Sequence, residues 1–257
     1  MKARRVTTYA YDPAFFRYLD VGACRSAAVI VPLIEQWFPI SSILDIGCGS
    51  GVWVAEWLRR GAREAIGIDG SYVEPASLLI PVECFRPRDL SQPFSLGRRF
   101  DLVQCLEVGE HIPARFADVF LDNIVAHGDR VLFSAAAPGQ GGEHHVNERP
   151  IHFWREQFAA RGYRAFDALR PAIRGRTEVE PWYRYNPLLY VREDRSNELP
   201  AEILQSELPA GSRIPEMAPF PWRLRRAILA RLPQHTVSRM SVVKHHVFNL
   251  SRKLQSR

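Results

Sequence analysis

The sequence predicts an α/β protein built on a doubly wound, mainly parallel sheet, and three observations carry that reading. Short apolar runs of strand length recur between residues 43 and 191, separated by stretches with helical periodicity. The first run, Ile43 to Ile46, ends directly in a glycine-rich turn, Gly47-Cys48-Gly49-Ser50-Gly51. The second, Ala65 to Ile68, ends in an acidic residue, Asp69. Strands that alternate with helices imply parallel pairing with both faces of the sheet covered.

The elements follow in order. Residues 1–22 are rich in aromatics (Tyr9, Tyr11, Phe15, Phe16, Tyr18) and lead into a helix expected over Cys24 to Phe38, stopped by Pro39. After the first strand, Val52 to Arg60 reads as a helix with Gly61 as its C-terminal stop. Ala65 to Ile68, Val82 to Phe85 and Phe100 to Leu106 are the next strands. Pro113 to His127 is helical, with Phe116, Val119, Phe120 and Ile124 on one face. Val131 to Ser134 is the fifth strand, and His152 to Ala160 is a further helix with Gly162 behind it. Ala165 to Leu169 and Leu188 to Val191 complete the sheet. Pro200, Pro209, Gly211, Pro215, Pro219 and Pro221 mark residues 194–221 as a linker. The organisation expected is a lid and helix over 1–40, the α/β domain over 41–193, the linker over 194–221 and basic amphipathic helices over 222–257.

Composition bounds the classes. Of the 257 residues, 46% are hydrophobic and 24% charged, as in ordinary globular proteins. The longest apolar run, Ala27 to Ile34, is about a third of what a bilayer requires. The basic N-terminus MKARRVTTYAYDP has no apolar stretch after it, so no secretory signal is expected. Cys24, Cys48, Cys84 and Cys105 are widely spaced, which suggests reduced thiols and a cytoplasmic location. Charge is unevenly placed. Residues 217–257 hold nine basic residues and no acidic one; against a chain total of +6 this leaves the remainder at −3. A mildly acidic body argues against a nucleic-acid-binding domain.

The glycine turn points to a nucleotide-like ligand. Glycine lets the backbone turn tightly and approach a ligand, and the following helix aims its N-terminus at it. An acid at the end of the second strand, Asp69, can accept from two ribose hydroxyls. A dinucleotide fingerprint reads G-x-G-x-x-G, whereas this turn reads G-x-G-x-G, with Val52 where the last glycine would stand. Asp45 also lies two residues before the first glycine. At these positions the sequence resembles the class I S-adenosylmethionine-dependent methyltransferases, whose first motif is close to L-D-x-G-C-G-x-G, and the resemblance covers about residues 43–191.

The resemblance implies a Rossmann-like, seven-stranded sheet of order 3-2-1-4-5-7-6, an N-terminal helical lid, a C-terminal helical tail and S-adenosylmethionine as cofactor. It implies that Asp69 and Gly70 bind the ribose, that Asp89 and Leu90 contact the adenine, and that Asp45, Gly47, Cys48, Gly49 and Gly51 hold the methionine part, with Glu107 beside the cofactor. Only about twenty residues separate Asp69 from Asp89, and Pro75, Pro81 and Pro87 lie among them, so the crossovers there must be short.

Two polar clusters suggest chemistry. Glu107-Val-Gly-Glu110-His111 follows the fourth strand; on a helix, its charged side chains share one face. Glu143-His144-His145 follows the fifth strand behind the glycine-rich Pro138–Gly142. Loops after adjacent parallel strands are neighbours, so these groups can converge on a divalent cation such as magnesium. The pattern is similar to the metal site of small-RNA 2′-O-methyltransferases and ubiquinone-pathway O-methyltransferases. That likeness implies Glu107, Glu110, His111 and His145 as ligands. His111, His144 or His145 acting as a base without a metal is the other reading.

The stretch HHVNERPIHFWREQFAARGY is similar to bacterial methyltransferases acting on sugars, glycolipids or secondary metabolites. Trp154, Trp182, Tyr183 and Tyr185 suit either plain core packing or the wall of an acceptor pocket. In the tail, Leu224, Ile228 and Leu232 recur every four residues, and Met240, Val243, Val247, Leu250 and Leu254 step by three and four. Such basic amphipathic stretches suit packing on the domain or a dimer contact, then peripheral contact with an anionic membrane, then a solvated, partly disordered tail. The expected function is O-methylation of a small-molecule, sugar or glycolipid acceptor. RNA 2′-O-methylation and a non-catalytic cofactor-binding scaffold are the alternatives.

Overall fold

The computed structural model describes residues 13–255. Eight strands form one sheet: β1 (Ser42–Ile46), β2 (Glu64–Asp69), β3 (Phe85–Pro87), β4 (Leu102–Leu106), β5 (Arg130–Ser134), β6 (Tyr163–Phe166), β7 (Leu188–Arg192) and β8 (Glu207–Leu208). Their order is β3-β2-β1-β4-β5-β7-β6-β8. The β3-β2-β1-β4-β5 half is parallel, while β7 runs antiparallel to both β5 and β6. The expected order holds, with a correction at the far edge. The sheet has an eighth strand, because β8 pairs antiparallel with β6.

The helices are α1 (Pro13–Trp37), α2 (Val52–Arg59), α3 (Ala117–Ala126), α4 (Ile151–Ala159), α5 (Leu169–Ala172), α6 (Pro181–Tyr185), α7 (Ala201–Leu204), α8 (Phe220–Leu229) and α9 (Gln234–Gln255). The first helix begins well before Cys24, so Phe16 and Tyr18 lie on it; Tyr9 and Tyr11 lie outside the described residues. Between β2 and β4 no α-helix forms: the proline-punctuated crossovers are single 3₁₀ turns at Pro75–Ser77 and Val82–Cys84. The third strand therefore starts only at Phe85, later than its apolar run suggested.

The strand period of two divides the interior into two cores. On one face, Ile43, Leu102, Leu106 and Leu132 pack with Ile30 and Ile34 of α1 and Val54 and Trp57 of α2. On the other, Leu44, Val103, Cys105, Val131 and Phe133 pack with Phe120 and Ile124 of α3 and Trp154 and Phe158 of α4. Gln104 is a buried polar residue between strands and is satisfied there. It accepts from the Trp57 indole at 3.3 Å and donates to Asp45 at 3.4 Å.

Residues 194–221 carry more structure than a linker. Buried arginines hold them down. Arg155 donates to the carbonyls of Pro209 and Ser212 at 3.2 and 2.7 Å. Arg170, 1% exposed, pairs with Asp167 at 2.7 and 2.6 Å and donates to the carbonyls of Tyr185 and Pro215. Removing one partner of a buried pair strands the other charge. Arg170→Ala is therefore expected to destabilise the fold by about 3–5 kcal/mol, measured by denaturant unfolding, far beyond the effect of truncating a surface arginine such as Arg176.

Candidate active site

The loops that follow β1, β2, β4 and β5 border one cavity of about 1000 Å³. Its floor is the glycine loop. Gly47, Gly49 and Gly51 have φ of 82, 55 and 87°, the left-handed region that side chains disfavour. A Cβ on Gly47 would also stand 2.2 Å from Val108 Cγ2. Asp69, at the end of β2, organises this loop. It accepts from the Gly49 and Gly70 N–H groups at 2.7 and 2.6 Å and from the Tyr72 hydroxyl. Burial pushes its carboxyl above the ordinary value, against those three bonds. Asp20 of α1 accepts from Ser50 Oγ at 2.6 Å, which ties the N-terminal helix across the loop. Nothing in the sequence pattern marked Asp20 or Ser50.

Asp45 is 2% exposed, and its Oδ2 has no partner. Burial pushes its carboxyl up to about 7. The folded chain thus binds this proton more tightly than the unfolded one, where aspartate titrates near ~3.9. Its contribution to stability is complete below that range and is lost as pH rises through the folded value. Asp45→Asn should remove a pH-dependent term of up to about 4 kcal/mol. The check is the melting temperature of both proteins across that window: the gap between them must change with pH.

The opposite wall carries imidazoles and carboxylates. Glu110, His111 and His145 place one ligand atom each within 4.8 Å of one another. Gly109–His111 form a single 3₁₀ turn, while Glu107 has a φ of 57°, so the expected helical face does not form. Glu107 stands apart from the three: it accepts from Gln140 and Asn186 at 2.6 and 3.1 Å. Glu110 is 1% exposed, and its Oε2 is unpartnered. Burial, then the charge of Glu107, pushes its carboxyl well above the usual range. Burial likewise pushes His111 well below its ordinary value. A buried carboxyl with one unpartnered oxygen beside two imidazole rings is a donor set that suits a divalent cation.

Glu148 adds a partner that the motif reading missed. It lies 2.8 Å from His145 Nδ1 and accepts from the Gly139 and Gly141 N–H groups at 2.8 and 2.9 Å. In a neutral ring, a proton on Nδ1 shared with Glu148 would leave the Nε2 lone pair to a ligand. His144 has a φ of 55° and also borders the cavity; its carbonyl faces His111 Nδ1 at 3.3 Å.

The tail fastens this wall. Arg225 donates to the Gln140 carbonyl at 2.9 Å, Ser238 Oγ accepts from the His144 N–H at 3.1 Å, and Gln234 donates to the His145 carbonyl. Gly139 and Gly141 let α8 and α9 come close: a Cβ on Gly139 would meet the Arg226 carbonyl at 2.1 Å. Asp89 and Leu90 line the far end of the cavity, where Asp89 accepts from Ser91. Of the aromatics singled out, Trp182 and Tyr183 line it. Trp154 is instead packed against Phe133 in the core at 5.1 Å, and Tyr185 is also buried away from it. Trp222 of α8 takes a place that the sequence did not assign.

Residues 4–167 match the family described as a methyltransferase domain. The chain belongs to that family, the class I S-adenosylmethionine-dependent methyltransferases. Over 112 residues it is 31% identical to a ubiquinone biosynthesis O-methyltransferase of Methylobacterium sp. (strain 4-46), covering 40% of this chain and 43% of that one. Over 103 residues it is 37% identical to the enzyme of the same name from Neisseria meningitidis serogroup C, covering 36% and 42%. The chain thus matches less than half the length of these curated relatives. The fold is also that of the sugar N-methyltransferase KedS8 from Streptoalloteichus sp., with a TM-score of 0.56, 16% identity and coverage of 75% and 98%. No described helix of this family member is long and apolar enough to cross a membrane.

Proposed function

We propose that the protein transfers a methyl group from S-adenosylmethionine to an oxygen of a small-molecule, sugar or glycolipid acceptor held at the Glu110–His111–His145 wall. The observation that carries this reading is that one cavity joins the glycine loop to that wall. Gly47, Cys48, Gly49, Gly51 and Asp45 hold the methionine part; Asp69 and Gly70 hold the ribose, and Asp89 and Leu90 hold the adenine. When bound, the cofactor supplies an electrophilic methyl group on a sulfonium. Transfer is then a matter of positioning the acceptor in line and removing its proton.

Glu110, His111 and His145 would hold a divalent cation such as magnesium, which lowers the pKa of a hydroxyl placed against it. Glu148 holds the His145 ring by its Nδ1. Gln140 and Asn186 hold the Glu107 carboxylate at the cofactor side. Trp182, Tyr183 and Trp222 give the acceptor flat apolar surfaces. The two curated relatives described above are named O-methyltransferases, which supports oxygen as the acceptor atom. The free thiols support a cytoplasmic location.

The test is transfer of a labelled methyl group from S-adenosylmethionine into a cell extract, followed by fractionation. Label is expected among small molecules and extractable lipids, and chelation should suppress it. Label confined to RNA or protein would overturn the acceptor class. Full activity after chelation would overturn the cation.

A further inference from the structure

The two tail helices turn one side to the cavity wall and the other to solvent. On α8, Trp222, Arg226 and Leu229 face inward, while Phe220, Leu224 and Ile228 recur every fourth residue and are 69, 50 and 53% exposed. On α9, Val237 is buried, while Met240, Val243 and Val247 form a second stripe at 53, 63 and 60% exposure. Isolated exposed apolar residues are ordinary, but two helical stripes of large side chains are not. Basic residues border both stripes: exposed Arg223 and Arg231 on or just after α8, and Arg239 beside the α9 stripe. Residues 217–257 contain no acidic side chain.

We propose that these outward faces of α8 and α9 dock on an anionic phospholipid bilayer. The charge pattern selects this occupant. A second copy would bring like charge against like charge, whereas an anionic surface attracts the arginines while the apolar stripes enter the headgroup boundary. The inner faces of the same helices supply Trp222, Arg225, Ser241 and Lys244 to the cavity lining. Docking therefore sets the rim of the cavity beside the membrane. Through the Arg225, Gln234 and Ser238 contacts, the docked helices also carry the His144–His145 loop with them.

The experiment is sedimentation of the full chain with vesicles of phosphatidylcholine, with and without phosphatidylglycerol. The chain should sediment with the anionic vesicles and remain with the supernatant of the neutral ones. Leu224→Glu/Ile228→Glu/Val243→Glu/Val247→Glu should lower the bound fraction about tenfold or more. So should Arg223→Gln/Arg231→Gln/Arg239→Gln, which leaves every apolar contact in place. Calorimetry with S-adenosylmethionine on both variants confirms an intact cavity and keeps the two proposals separate. Equal sedimentation with and without vesicles would overturn the docking proposal while leaving the methyltransferase reading intact. So would a wild-type dimer, dispersed by the apolar variant, that ignores vesicles.

Discussion

Asp69→Ala is expected to lower the affinity for S-adenosylmethionine by about a hundredfold or more. Two effects combine. The carboxylate would accept from ribose hydroxyls, and hydrogen bonds to a charged group contribute about 1.5–3 kcal/mol each. It also holds the Gly49 and Gly70 N–H groups, so its removal frees the loop that must fit the cofactor. Asp69→Asn keeps one acceptor oxygen and should fall between the two. Calorimetry on the three proteins checks this. An affinity for Asp69→Ala within about threefold of the wild type, less than a single hydrogen bond contributes, would remove Asp69 from the site.

His145→Ala is expected to slow methyl transfer by about 10²–10⁴-fold, the span of a lost acid–base group or metal ligand, while leaving cofactor affinity nearly unchanged. His111→Ala should behave alike, since the two rings lie 4.9 Å apart in the same cluster. Glu148→Gln tests the positioning contact. It should cost about 10–100-fold in turnover or metal affinity by loosening the ring rather than removing it. If a cation is held there, chelated wild-type protein should match His145→Ala, and added magnesium should restore the wild type alone. If all three variants turned over at the wild-type rate, the wall would have no part in the chemistry.

The glycine-loop half of this cavity was legible because its signal is local. Gly47, Gly49 and Gly51 need positive φ within five residues, and Asp69 follows from the length of one crossover. The parallel core was legible for the same reason: apolar runs of fixed period lie between glycine and proline stops. The rest depends on contacts distant in sequence. Glu148 meets His145 only because the loop folds back on Gly139 and Gly141. Asp20 reaches Ser50 across two elements. The strand at Glu207–Leu208 carries no apolar alternation, and Arg155 and Arg170 pin the proline-rich residues beside it. Trp154 shows a related ambiguity, between an acceptor wall and plain core packing. An aromatic residue at helical spacing serves a core or a cavity equally well, and only the packing against Phe133 decides. Glu107 was read onto a helical face that its left-handed backbone does not form.

The central claim is that the cavity over the glycine loop holds S-adenosylmethionine. Calorimetric titration of the full chain with S-adenosylmethionine and, separately, with NADH tests it most directly. Saturable binding of one equivalent of S-adenosylmethionine, abolished by Gly47→Val and unaffected by NADH, is the predicted result. No heat with S-adenosylmethionine, or displacement of it by NADH, would contradict the account.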